Sequence, residues 1–121
     1  KIVKALGFNN VVVINPNDLK AVRNSLNWAL SLDQPSVIIT RWPCALKKFS
    51  QEDKEEFNKA FEMKCSVDKE KCIGCKACIR TGCPAISFNK NLKKSNIDNS
   101  CVGCEVCVQV CPVKAIGKGE I

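Results

Sequence analysis

The chain contains no histidine. That removes the imidazole that zinc sites often use and the commonest general base. It has no run of about 18 consecutive apolar residues, so no transmembrane helix is expected. The opening residues, KIVKALGFNN, carry no apolar stretch of the signal-peptide type. Without a secretion signal the expected compartment is a reducing cytoplasm, where patterned cysteines are more often metal ligands than disulfides. The first residue is not methionine, and the opening reads as the tail of a helix already under way. The expectation is a fragment of a longer protein. No aromatic platform interleaves the lysines, so nucleic acid is not an expected partner.

What the chain does have is ten cysteines in 121 residues. At that density a cysteine framework becomes the main structural fact. Eight of the ten fall into two runs. CIGCKACIRTGCPAISF begins at Cys72, and CVGCEVCVQVCPVKAI begins at Cys101. Each places three cysteines at C-x-x-C-x-x-C spacing, followed by a Cys-Pro. Val67-Asp68 precedes the first run and Ile97-Asp98 the second. The 29-residue offset between Cys72 and Cys101 marks an internal repeat and predicts pseudo-two-fold symmetry. The runs differ in one respect: four residues separate Cys78 from Cys83, but three separate Cys107 from Cys111.

A [4Fe–4S] cubane needs one thiolate at each of four irons. C-x-x-C-x-x-C wraps a tight loop around the core and supplies three. In the bacterial C-x-x-C-x-x-C-x-x-x-C-P run the fourth cysteine ligates the other cluster. The expected ligands are therefore Cys72, Cys75, Cys78 and Cys111 for cluster one, and Cys101, Cys104, Cys107 and Cys83 for cluster two. Gly74 and Gly103 can take positive φ and bring backbone N–H groups close to sulfur. Pro84 and Pro112 fix the backbone beyond the fourth ligand. A zinc site would use paired C-x-x-C ligands, often with histidine, and these cysteines come in threes. A disulfide scaffold would need a secreted setting. Cys44 and Cys65 are left over and read as inert small apolar residues.

The formal charge of +7 needs correction for this chemistry. Eight thiolates and two oxidised cores sum to roughly −4. The loaded protein would sit near roughly +3. Lys90, Lys93 and Lys94 form a basic loop that could steer an acidic partner.

The first part of the chain is cysteine-poor and reads as α/β. KALGF is a helix end with Gly7 at its cap. VVVI (11–14) and SVIIT (36–40) are short apolar runs of the buried-strand type. Between them Asn17/Asp18 starts a helix, whose Leu19, Val22, Leu26, Ala29 and Leu30 recur at helical spacing. Strand, helix, strand predicts a right-handed βαβ unit with parallel strands. SQEDKEEFNKAF (50–61) reads as a charged connecting helix, with Ser50 and Asp53 as its capping box and Phe57 and Phe61 on one face. Short strands at 66–67, 86–88, 96–98 and 115–118 are expected as small hairpins closing each end of the cysteine region. The polar loop 89–95 should carry the chain between halves. The fold class is thus α+β: a bacterial-type two-cluster ferredoxin-like domain, a pseudo-two-fold βαβ repeat, preceded by a partial α/β segment. The divisions fall at 1–49, 50–65 and 66–121.

CIGCKACIRTGCPAISF, followed by CVGCEVCVQVCPVKAI, resembles the C-terminal ferredoxin module of the indolepyruvate:ferredoxin oxidoreductase alpha subunit. The x₄ spacing with RTGCPA is similar to that family rather than to free ferredoxins. VVVINPNDLKAV and PSVIITRWPCAL resemble the last portion of the family's thiamine-diphosphate domain, with Asn15 where aspartate is usual and Trp42 where arginine is usual. The resemblance implies an anaerobic enzyme that decarboxylates an aryl pyruvate oxidatively, passing the acyl group to coenzyme A and electrons to ferredoxin. It implies thiamine diphosphate with Mg²⁺ as cofactor, and a beta subunit as partner. No aspartate here follows a glycine, so the family's Gly-Asp-Gly metal–diphosphate motif is expected outside this chain. The chain would then hold no catalytic or thiamine-binding residue of its own, only the electron-exit module. The alternative is a stand-alone two-cluster electron carrier fused to an unrelated α/β segment.

Overall fold

The structure is a computed structural model, and it describes residues 1–57, 61 and 63–119. The chain forms two compact units, Lys1–Cys44 and Ala45–Ile121.

In the first unit, helix α1 (Ile2–Ala5) ends at Leu6, and Gly7 follows at φ +92. Strand β1 (Asn10–Ile14) leads through Asn15, whose Oδ1 accepts the Asn17 N–H, into helix α2 (Leu19–Leu30). Asp18 caps α2 by accepting the Ala21 N–H at 2.9 Å. Strand β2 (Ser36–Thr40) then pairs with β1 in parallel, from Asn10↔Ser36 to Ile14↔Thr40. The parallel pair with its crossover helix matches the expectation. The packed face of α2 does not. Leu26 and Leu30 are exposed, at 51% and 85%, and the buried position is Ser25. Two strands cannot cover a whole helix face, and Val13 on the sheet is exposed as well.

The second unit opens with helix α3 (Gln51–Glu56), held by a complete Ser50/Asp53 capping box. The Lys47 ammonium and the Ser50 backbone N–H hold the Asp53 carboxyl below the usual carboxylate range. The helix ends at Glu56. Phe61 lies beyond it at φ +64 and packs on Phe49, with ring centroids 5.9 Å apart. Phe57 and Phe61 therefore do not share a helix face. Residues 58–60 of the expected helix lie outside the described residues.

Four short strands follow: β3 (Cys65–Val67), β4 (Ile86–Asn89), β5 (Lys94–Ile97) and β6 (Ile116–Lys118). The pair β4–β5 is a hairpin, from Ile86↔Ile97 to Asn89↔Lys94. The other pair joins the first strand to the last, Cys65↔Lys118 to Val67↔Ile116. It is not a local hairpin, because pseudo-two-fold closure makes the two chain ends of the repeat meet. The segment 89–95 accordingly turns within one hairpin. Each half contributes a mirrored cross-link: the Asp68 N–H donates to the Ala115 carbonyl, and the Asp98 N–H to the Ala85 carbonyl. The core is unusually poor in ordinary apolar side chains. Among the described residues, its buried hydrophobic members besides Ala85, Ile86, Ala115 and Ile116 are cysteines.

Candidate metal centres

Each cysteine loop is launched by its aspartate. Asp68 Oδ1 accepts the N–H groups of Glu70 and Lys71, and its carbonyl accepts that of Cys72 at 3.0 Å. Asp98 Oδ1 accepts the Ser100 N–H at 2.8 Å, and its carbonyl that of Cys101. These are Asx turns. The Lys71 side chain and backbone N–H lower the Asp68 carboxyl, and the Ser100 hydroxyl and N–H lower Asp98.

The loops then wind through paired left-handed positions, Gly74 and Lys76 in one, Gly103 and Glu105 in the other. Glycine is needed at the first of each pair for space as well as torsion. A Cβ on Gly74 would stand 2.2 Å from the Lys93 carbonyl oxygen, and one on Gly103 2.2 Å from that of Met63. The carbonyls of Lys76 and Glu105 next accept from Ile79 and Val108. They start a 3-10 turn (Ile79–Thr81) and helix α4 (Val106–Val110). Gly82, at φ +72, is the extra residue of the first run; it ends the 3-10 turn ahead of Cys83. In the second run α4 leads straight into Cys111.

Two cavities result. One is lined by Cys72, Cys75, Cys78 and Cys111, with an apolar wall that includes Val67, Ala115 and Ile116. The other is lined by Cys83, Cys101, Cys104 and Cys107, with Ile86 and Ile97. Each therefore gathers three cysteines of one run and the Cys-Pro cysteine of the other. Among the described residues, no group of three Cys, Asp or Glu is placed to hold a single metal ion. Four thiols around a cavity suit a core with four separate irons better than one tetrahedral zinc.

Backbone donors already point at the sulfurs. The Ala115 N–H reaches Cys111 Sγ at 3.2 Å, and those of Cys65 and Gly103 reach Cys101 Sγ at 3.4 Å. Burial pushes the Cys72 thiol up, but N–H groups of Ser95 and Gly74 and the charges of Lys94 and Lys69 outweigh it, so its pKa is lowered. Cys107 is shifted the other way. Burial and the neighbouring Cys65, Cys104 and Cys101 push it up to about 12. A metal core would relieve that by replacing the proton.

Two residues of the sites escaped the sequence reading. Cys65 is not an inert bystander: it lines the second cavity, and it accepts a hydrogen bond from the Cys107 thiol. Burial first, then the charge of Cys101, raises its pKa. Ser95, buried in the other half, lies 3.2 Å from Cys78. Aligning Val67-Asp68 with Ile97-Asp98 would have set Cys65 opposite Ser95. Cys44 is exposed and lines neither cavity. In the basic loop, the Lys94 amine is turned inward onto the Cys72 carbonyl, leaving Lys90 and Lys93 as exposed members.

Residues 65–117 match the family described as "4Fe-4S dicluster domain". The match takes in both cysteine runs. Curated relatives extend the likeness over the remainder of the chain. "Indolepyruvate oxidoreductase subunit IorA" of Thermococcus kodakarensis is 38% identical over 94% of this chain. Proteins of the same name from Pyrococcus horikoshii and Archaeoglobus fulgidus are each 38% identical, over 98% and 95%. The chain spans 18% of the length of each of these relatives. Among solved structures, ferredoxin I from Desulfovibrio africanus aligns with 49% of this chain and 98% of its own, at 24% identity and TM-score 0.42.

Proposed function

We propose that residues 65–117 form a dicluster domain that holds two [4Fe–4S] clusters, with Cys72, Cys75, Cys78 and Cys111 on the first and Cys83, Cys101, Cys104 and Cys107 on the second. The observation that carries this is the crossed lining of the two cavities. When bound, each cluster accepts and passes on one electron. The protein's part is to exclude water with small apolar walls, to aim N–H groups at sulfur, and to hold the two cores side by side.

The electrons come from oxidative decarboxylation of an aryl pyruvate such as indolepyruvate, with coenzyme A as acyl acceptor and ferredoxin as the outlet. In this reading residues 1–49 end a thiamine-diphosphate domain, 50–65 link it to the clusters, and 66–121 form the electron exit. A beta subunit completes the enzyme, which works in an anaerobic cytoplasm. Thiamine diphosphate and Mg²⁺ are bound by the alpha subunit, outside the residues of this chain. The relatives' names support this assignment. So do the exposed Val13, Leu26 and Leu30: a parallel pair of strands normally has both faces covered.

The test is anaerobic iron and sulfide analysis, with EPR spectroscopy after dithionite reduction. About eight iron and eight sulfide per chain, with interacting [4Fe–4S]⁺ signals, is the expected result. Zinc in place of iron, or an anaerobic preparation without metal, refutes the ligation. Metal-free protein should lose its ordered structure beyond Cys65, because half of the buried hydrophobic positions are cysteines and cluster binding supplies the folding free energy.

A further inference from the structure

The two halves are not equivalent at one buried position. Ser95 on β5 and Cys65 on β3 occupy the same place in the repeat, two residues before Val67-equivalent Ile97 and Val67 themselves. Both are buried, at 2% and 5%. Both backbones serve the first cysteine of a loop: the Ser95 N–H donates to Cys72 and the Cys65 N–H to Cys101. Both side chains meet the third cysteine. Cys78 Sγ donates to Ser95 Oγ at 3.2 Å, and the Cys107 thiol donates to Cys65; once the third cysteine is a metal-bound thiolate, Ser95 and Cys65 hold the proton of each pair. The geometry is shared while the chemistry differs, a hydroxyl in one half and a thiol in the other.

We infer that the Ser95/Cys65 pair sets the order in which the two clusters are reduced, with the cluster beside Ser95 taking the first electron. This rests on the ligation proposed above. Reduction adds one negative charge to a core and its thiolates. A hydrogen bond to ligand sulfur stabilises that charge and raises the reduction potential. Hydroxyl is a good donor, and thiol a weak one. Ser95 therefore favours reduction at the Cys78 cluster, and Cys65 gives less help at the Cys107 cluster. Other groups add to the same gradient. Lys94 and Lys69 place positive charge near Cys72, whereas the carboxylate of Glu105, at the second cavity, is neutralised by Lys118. The role is one of positioning: neither side chain need touch iron.

The experiment is a potentiometric titration of the cluster-loaded chain, followed by EPR, for wild type, Cys65→Ser and Ser95→Cys. Both changes exchange one second-row or third-row atom and keep the side-chain length. Cys65→Ser should raise the lower of the two midpoint potentials and leave the upper one unchanged. Ser95→Cys should lower the upper one alone. Unchanged midpoints in both variants, or movement of the same cluster in both, overturns the inference. Should Cys65→Ser fail to load, the Ser95→Cys midpoints decide the matter alone. Iron and sulfide content measured on the same wild-type sample separates this from the ligation itself. Fewer than two clusters there refutes the ligation, whereas full loading with unmoved potentials refutes only the role of Ser95 and Cys65.

Discussion

Replacing Gly74 with alanine would place a Cβ 2.2 Å from the Lys93 carbonyl oxygen and 3.3 Å from its carbon. That carbonyl has little room to retreat. It precedes β5, whose Lys94 is paired to Asn89, and Asn89 Oδ1 holds the turn by accepting from Asn91 and Leu92. Gly82 supplies the control, since its φ of +72 nearly equals the +69 of Gly74 and nothing lies within 4 Å of its would-be Cβ. Alanine at Gly82 should cost about 1–2 kcal/mol for the left-handed backbone, less about 0.4–1 kcal/mol from the stiffer unfolded chain. Alanine at Gly74 carries the same terms plus overpacking of about 1–3 kcal/mol. Taking about 2 kcal/mol as the difference, the ratio between the two variants is roughly 30-fold. The assay is the rate at which iron–sulfur absorbance bleaches in a fixed concentration of denaturant under argon. Gly74→Ala should bleach about 30 times faster than Gly82→Ala if the contact is lost before the unfolding barrier. Gly103→Ala, which meets the Met63 carbonyl at the same 2.2 Å, should behave like Gly74→Ala. Equal rates for Gly74→Ala and Gly82→Ala would show that torsion alone, not close approach, makes glycine necessary.

Cys83→Ser should degrade the cluster held by Cys101, Cys104 and Cys107, and Cys111→Ser the one held by Cys72, Cys75 and Cys78. Loss of the same-run cluster in either variant, read by EPR, would show that the crossed cavities do not reflect the ligation. Asp68 is lowered below 3.8 by Lys71 and its own turn, so its ionised form contributes stability above that pH. The contribution disappears as pH falls through the lowered value in the folded state. Asp68→Asn should therefore bleach faster than wild type from pH 6 down to 3.8, and the gap should close as pH falls further, through the lowered value. A constant ratio across that range would remove the carboxylate from the account.

Much of this molecule is dictated locally. The parallel strands 10–14 and 36–40 are apolar runs that need cover, and Asp18 and Ser50 cap helices as their types demand. The loops around Gly74 and Gly103 follow from spacing, because three cysteines two residues apart leave one way to wrap a core. The repeat itself exposes the two-fold relation. Other features depend on which distant segments meet. β3 pairs with β6 because the symmetric halves close on each other, whereas local reasoning expects a hairpin. Leu26 and Leu30 have helical spacing, yet two strands offer too little surface to bury them. Lys94 reads as a surface cation but folds in onto the Cys72 carbonyl. Cys65 and Ser95 carry no motif of their own. Their place beside Cys107 and Cys78 comes from strand register, and register is set by the whole domain, since sliding β3 or β5 by one residue would turn each side chain to the opposite face.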